Sequence, residues 1–78
     1  MSLYLTSIAD IKKFVEVTRK FASDIDLVSD HYRIDAKSIM GVFSIDSSKP
    51  VDIEMISKNN ETREDLIKSL AESGIIVS

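Results

Sequence analysis

The spacing of apolar residues switches along this chain between two periods, and this switch is the strongest constraint on its fold. Apolar residues recur at every second position, as on a strand with one buried face, in four segments: residues 3–6, 24–29, 32–36 and 51–56. They follow helical spacing in three others: 8–22, 38–45, and the segment between a cap at Asn60 or Thr62 and a stop at Gly74. The order is therefore β-α-β-β-α-β-α, and the apolar residues 75–77 are expected to pack back on the sheet.

Helices that connect strands, and strands with one polar face, indicate an α+β fold of two layers. Two arrangements have this order of elements: a ferredoxin-like fold with an added helix, and an open-faced β-sandwich. Periodicity gives the order of the elements and not which strands are neighbours. It therefore leaves both arrangements open.

Length, composition and charge exclude several classes of protein. The 78 residues predict a single domain over 1–78, and 44% hydrophobic with 29% charged residues is typical of a globular protein. The chain has no cysteine, which excludes disulfides and thiolate metal sites and fits a cytoplasmic location. Basic residues are scattered among acidic ones without a basic stripe, so nucleic acid is not an expected partner. No apolar run has the length of a membrane span, so no membrane is expected either.

Ser38 lies where the third strand runs into the second helix, and its position allows two interpretations. A serine hydroxyl at a helix start normally accepts a hydrogen bond from a free backbone N–H, which would make Ser38 an N-cap. The same position favours an added phosphate, because the N-terminal N–H groups and the helix dipole attract negative charge. Ser38 is therefore a candidate structural cap and a candidate regulatory phosphorylation site.

Apolar residues dominate the short helix that follows Ser38: Ile39, Met40, Val42, Phe43 and Ile45. A helix this short cannot bury all of them on one side, so we expect some to be exposed as a docking surface. Ile39, Met40 and Phe43 are the candidates, although the same spacing also makes a core contact. Gly41 among them weakens the helix by about 1 kcal/mol relative to alanine and would permit close packing or close approach of a partner.

Residues 36–44, with the sequence AKSIMGVFS, resemble the regulatory-serine segment of the HPr family, the phosphocarrier proteins of the bacterial sugar phosphotransferase system. The resemblance extends from about Phe14 to Leu70, and the segment lies between a predicted hairpin and a strand that begins after Pro50. It implies the HPr-like form of the open-faced sandwich, with a four-stranded antiparallel sheet and three helices on one face.

The resemblance also implies site residues and partners. Ser38 falls at the position that a dedicated ATP-dependent kinase phosphorylates in Gram-positive members. Ile39, Met40 and Phe43, with Lys37 beside them, fall on the surface that these proteins use to bind partners. The implied partners are phosphotransferase-system components, a serine kinase or phosphorylase, and a transcriptional regulator. No cofactor and no metal are implied.

The segment before the first helix departs from the family pattern. The family carries a histidine there, followed closely by an arginine and a proline, whereas residues 6–10 of this chain read TSIAD. A phosphoimidazole passes its phosphate on because the bond is labile, but an ester at Thr6 or Ser7 would be too stable. Asp10 has no neighbours typical of a metal-assisted aspartyl site. His31, the single histidine, lies in the predicted hairpin turn and is interpreted as a solvated turn residue.

The sequence contains no paired carboxylates, nucleophile–base set or glycine-rich phosphate loop that would support catalysis. The acidic residues Glu61, Glu64 and Asp65 are interpreted as a favourable first turn of the last helix. The expected function is that of a non-catalytic, cytoplasmic HPr-like regulatory binding module, with a phosphoswitch at Ser38 and no histidine phosphotransfer. The alternatives are an active phosphocarrier with an atypical acceptor, and an interaction or assembly protein in which the docking surface forms a homodimer.

Overall fold

The structure, a computed structural model, describes residues 2–30, 32–46 and 48–78. In these ranges the helices and strands follow in this order: β1 (Leu3–Tyr4), α1 (Ile8–Arg19), β2 (Asp24–Val28), β3 (Arg33–Asp35), α2 (Ile39–Phe43), β4 (Asp52–Ile56), α3 (Arg63–Glu72) and β5 (Ile76–Val77). The seven predicted elements are present, and β5 is a strand where the sequence indicated only an extended segment. His31 lies outside the described residues. Across the described ranges, no helix combines the length and apolarity that crossing a membrane requires.

Two helices end earlier than the apolar spacing predicts. α1 ends at Arg19 rather than at residue 22, because the N–H groups of Ala22 and Ser23 donate to the carboxylate of Glu61 (3.0 and 2.8 Å) instead of continuing the helix. α2 ends at Phe43 rather than at residue 45, because the next two N–H groups bond the carbonyl three residues back and close a tight last turn.

The order of the strands decides between the two possible arrangements. β2 pairs antiparallel with β3 on one side and with β4 on the other. Leu3 of β1 and Val51, just before β4, exchange both backbone hydrogen bonds (2.7 and 2.9 Å), and β1 pairs antiparallel with β5 on its other side. The resulting order β3-β2-β4-β1-β5 confirms the open-faced sandwich, because the ferredoxin-like arrangement requires β3 as the inner strand of the hairpin. The predicted sheet had four strands, and β5 extends it by a fifth.

One face of the sheet carries the helices. Ile25 and Leu27 of β2 and Ile53 of β4 point to this face and are buried. Helix residues complete the core above them: Ile11, Phe14, Val15, Val42, Leu66 and Leu70. The two layers that the alternating strands predict are therefore present.

The other face of the sheet is open and carries ion pairs. Arg33 of β3 contacts both Asp26 of β2 (3.1 Å) and Glu54 of β4 (2.5 Å), and so crosses three strands. Two further pairs lie beside it: Lys58 with Asp24, and Arg63 with Asp52. Each of these side chains is more than a third exposed, so each pair contributes little to stability.

Helices α1 and α3 begin at side-chain caps, and the cap of α3 is Thr62, one of the two residues that the sequence offered for it. Thr62 and Asp65 form a reciprocal capping box, in which each side chain accepts the backbone N–H of the other (3.1 and 3.2 Å). Ser7 likewise accepts the N–H of Asp10 (3.1 Å). The carboxylate of Asp10, however, accepts from the N–H and hydroxyl of Thr6 rather than from Ser7, so this box is not reciprocal.

The predicted stop at Gly74 is also confirmed. Gly74 has a positive φ of 97°, which glycine adopts without the steric cost that other residues incur. Its N–H bonds the carbonyl of Ala71 and the next N–H, of Ile75, bonds that of Leu70. These two bonds define a Schellman motif, which turns the chain out of α3 toward β5.

Candidate functional site

Ser38 is the N-cap of α2. Its backbone is extended (φ −96°, ψ 106°), and its Oγ accepts a hydrogen bond from the N–H of Gly41 at 3.3 Å. The residue is half-buried. The structural interpretation of Ser38 is therefore confirmed, and its regulatory interpretation remains a prediction.

Side chains from α1 hold the backbone just before Ser38. Thr18 is fully buried, and its hydroxyl lies 3.0 Å from the carbonyl of Ala36 as well as 3.0 Å from that of Val15 in its own helix. In the next residue, the Nε of Arg19 donates to the carbonyl of Lys37 at 3.0 Å. The last turn of α1 therefore fixes the strand-to-helix junction at which Ser38 lies.

The charged end of Lys37 is bound within the chain. Its Nζ donates to the carbonyl of Phe21 at 2.7 Å, and its backbone N–H donates to the carboxylate of Asp35 at 2.9 Å. The ammonium group thus satisfies a carbonyl just beyond the C-terminus of α1, where a cation is favourable. The predicted role of Lys37 in partner binding remains a prediction.

The apolar residues of α2, with Ile45 just after the helix, divide between the core and the surface. Met40 and Phe43 are exposed, at 77% and 40%, and we call these two residues the apolar patch. Val42 and Ile45 are buried, and Ile39 is partly buried against the core. Of the three residues predicted for docking, two are therefore on the surface and the third packs mainly inward.

Gly41 allows α2 to lie close to the hairpin. A Cβ atom at this position would lie 2.8 Å from Cγ2 of Ile34 and 3.4 Å from Oγ of Ser38. The first distance is shorter than a carbon–carbon contact, so a larger residue requires Ile34 or α2 to move. Close packing, one of the two uses foreseen for this glycine, is the one observed.

The segment at the start of α1 carries hydroxyl and carboxyl side chains. Thr6 and Ser7 are exposed, and Asp10 is held by hydrogen bonds to Thr6. No imidazole is present in residues 6–10. Among the described residues, no group of three or more His, Asp or Glu side chains is placed to hold a metal ion.

Sequence reasoning missed Arg19 as a residue of this site. Its spacing marks it as one of several cations on the solvent side of α1. Its hydrogen bond joins residues 18 positions apart, and nothing in the periodicity of either segment indicates that contact.

Comparison with known proteins identifies the family of the chain. Residues 10–73 match the family model of the PTS HPr component phosphorylation site, so the chain belongs to the HPr family. A curated relative, the HPr-like protein Crh of Bacillus subtilis (strain 168), is 34% identical over 58 residues, which are 74% of this chain and 68% of the relative. The chain is therefore an HPr-like protein related to the sugar phosphotransferase system.

Two solved structures share the fold. The crystal structure of selenomethionyl Crh from Bacillus subtilis, an intertwined dimer with a swapping domain, has a TM-score of 0.65 at 24% identity, over 94% of this chain and 82% of the other. The phosphocarrier protein HPr from Bacillus anthracis str. Ames has a TM-score of 0.68 at 22% identity, over 94% of this chain and 92% of the other. Both confirm the HPr-type open-faced sandwich.

Proposed function

We propose that this chain is a non-catalytic, cytoplasmic regulatory module that binds partner proteins through the apolar patch, Met40 and Phe43. Phosphorylation of Ser38 switches this binding, and the chain does not carry phosphate on a histidine. The partners are the protein classes that the family implies: phosphotransferase-system components, a serine kinase or phosphorylase, and a transcriptional regulator.

The observation that carries the proposal is the exposure of Met40 two residues after Ser38. A methionine side chain that is 77% exposed keeps most of its apolar surface in water and gains nothing from the fold. Methionine is also common at surfaces that adapt to several partners. Covering Met40 and Phe43 with a partner would remove apolar area from water next to the modifiable hydroxyl.

A phosphate on Ser38 would change the charge of this surface. Phosphorylation adds about 1.5 to 2 negative charges at pH 7. Those charges would lie beside Met40 and near the carboxylate of Asp35, which bonds the same junction. An acidic partner would be repelled by them and a basic partner would be attracted.

We predict that the family's ATP-dependent serine kinase adds one phosphate to this chain, and that the variant Ser38→Ala receives none. Mass spectrometry of the intact protein and of its peptides measures both results. In the same assay, Met40→Asp should slow phosphorylation about tenfold, because it places a charge at the centre of the docking surface.

The matched control for Met40→Asp is Ile56→Asp. Ile56 is similarly exposed, at 70%, but lies on the open face of the sheet opposite Asp24. Its replacement should leave the phosphorylation rate unchanged. Phosphate on a residue other than Ser38, or equal rates for the two variants, would contradict the proposal. Light scattering on the native protein and on Met40→Asp measures the oligomeric state in parallel. If the native protein is a dimer and Met40→Asp is a monomer, the patch serves self-association instead.

Incubation with phosphoenolpyruvate and the general transferase of the phosphotransferase system should leave no acid-labile phosphate on this chain. The physical reason is that residues 6–10 contain no imidazole to form a labile phosphoramidate. Radiolabelled phosphoenolpyruvate with acid and alkaline washes measures the result, and an HPr with its histidine is the positive control. A stoichiometric acid-labile label would instead establish the alternative, a phosphocarrier with an atypical acceptor.

A further inference from the structure

Two cationic side chains, Lys37 and Arg19, lie close to Ser38, and they differ in how their N–H donors are hydrogen-bonded. Lys37 is adjacent in sequence, but its Nζ is already 2.7 Å from the carbonyl of Phe21. Arg19 comes from α1, and only its Nε is used at this junction, in the bond to the carbonyl of Lys37 (3.0 Å). That carbonyl belongs to the peptide that joins Lys37 to Ser38, so the guanidinium lies within one residue of the Ser38 side chain.

The two side chains also differ in chemistry. A guanidinium presents five N–H donors in a planar fork that matches two oxygens of a phosphate, whereas an ammonium is a compact point charge. Arg19 is exposed, so its guanidinium can rotate toward a neighbouring anion without breaking the core. Lys37 is half-buried and would lose its bond to Phe21 in order to turn.

The rest of the junction supplies little positive charge. α2 has only five residues, so the dipole of this helix is small. The nearest charged group on β3 is the carboxylate of Asp35, and Glu16 lies one turn before Arg19 on α1. A phosphate on Ser38 would therefore lie near the carboxylate of Asp35, and a side-chain cation would balance its charge.

We propose that Arg19 is the positioning residue for the Ser38 phosphate: its guanidinium binds the phosphate oxygens and joins the end of α1 to the start of α2. This inference rests on the proposed phosphorylation of Ser38, because it concerns the state after modification. The interaction is a charge-assisted hydrogen bond and involves no covalent step. Its consequence is that the modified surface displays a phosphate that is partly neutralised and fixed in orientation, rather than a free one.

The test uses the full chain with phosphoserine installed genetically at position 38, so that no kinase is needed. The second pKa of the phosphate is measured by ³¹P NMR titration in the native background and in Arg19→Gln, Arg19→Lys and Lys37→Met. A bound guanidinium favours the dianion, so Arg19→Gln should raise this pKa by about 0.5 unit. In Arg19→Lys the phosphate pKa should lie between those of the native protein and Arg19→Gln. In Lys37→Met, the matched control, the phosphate pKa should stay within about 0.1 unit of the native value.

Equal phosphate pKa values in the native protein and in Arg19→Gln would overturn the inference, and so would a larger shift in Lys37→Met. The amide NMR spectra and melting temperatures of the unmodified variants show that each one folds. Because the phosphate is installed rather than added by the kinase, failure of the kinase assay would count against the proposed function alone. Failure of the titration would count against Arg19 alone.

Discussion

Replacing Ser23 by alanine should lower the free energy of unfolding by about 1–3 kcal/mol, although Ser23 is remote from the apolar patch. Ser23 is fully buried, and its hydroxyl donates to Oε1 of Glu61 (2.5 Å) and accepts the N–H of Lys58 (2.8 Å). Alanine fills less space and leaves both partners without this bond. For a domain of this size the melting temperature should fall by about 5 to 20 °C, measured by circular dichroism or calorimetry.

The same network predicts how stability depends on pH. The hydrogen bond from the Ser23 hydroxyl, followed by that from the Ala22 N–H, holds the pKa of Glu61 below its ordinary value of 4.5. A carboxyl whose folded pKa is lowered stabilises the fold above its unfolded pKa, and this contribution is lost as the pH falls through the folded pKa. The melting temperature of the native chain should therefore fall on acidification below about pH 4.5.

Glu61→Gln is the control for this network, because it keeps the shape of the side chain and removes the titration. Its melting temperature should be lower than the native one at pH 7 and should depend less on pH in the acidic range. A native melting temperature in Ser23→Ala, or an unchanged acid dependence in Glu61→Gln, would show that the network does not stabilise the fold.

The second large effect on stability is expected at Gly41, in the helix that Ser38 caps. Gly41→Ala should lower the free energy of unfolding by about 1 kcal/mol, although alanine is the better helix former by about the same amount. The added Cβ would lie 2.8 Å from Cγ2 of Ile34, a methyl group on the branched Cβ that moves only if χ1 or the backbone moves. A clash of about 2 kcal/mol, the middle of the usual range for overpacking, exceeds the gain in helix propensity of about 1 kcal/mol. Urea denaturation measures the difference.

A double-mutant cycle with Ile34→Ala identifies the cause. If the clash with Ile34 is responsible, Gly41→Ala should be neutral or stabilising in the Ile34→Ala background, since only the gain in helix propensity remains. If Gly41→Ala destabilises both backgrounds equally, the cost arises elsewhere, for instance at the Oγ of Ser38, 3.4 Å from the added atom.

The features that the sequence predicted correctly depend on local bonds. The N-cap at Ser38, the cap at Thr62 and the stop at Gly74 each join residues at most five positions apart. The residue types at such positions are fixed by the geometry of helix ends, which is the same in every fold. The alternating strands likewise gave the buried face of the sheet, because strand period and burial are directly linked.

The features that the sequence did not predict depend on contacts between distant segments. Glu61 was interpreted as part of the first turn of the last helix, but it precedes the cap Thr62 and bonds the segment just after α1, 38 and 39 positions away. The inward packing of Ile39 and the hydrogen bond of Arg19 also depend on how α2 lies against its neighbours. The order of the strands also depends on contacts between distant segments. Periodicity did not predict this order, and the family resemblance did.

The two edge strands of the sheet are short, which limits self-association in concentrated solution. Exposed strand edges act as templates on which other chains add strands and aggregate. On one side the edge strand is β5, which has only two residues and pairs with β1, and Ser2 and Ser78 beside this pair exchange both backbone hydrogen bonds at 2.8 Å. On the other side β3 is three residues long and carries the charged residues Arg33 and Asp35. Short edge strands, of which β3 is also charged, are poor templates for fibre growth, so the chain is expected to resist amyloid-like aggregation while its apolar patch stays exposed.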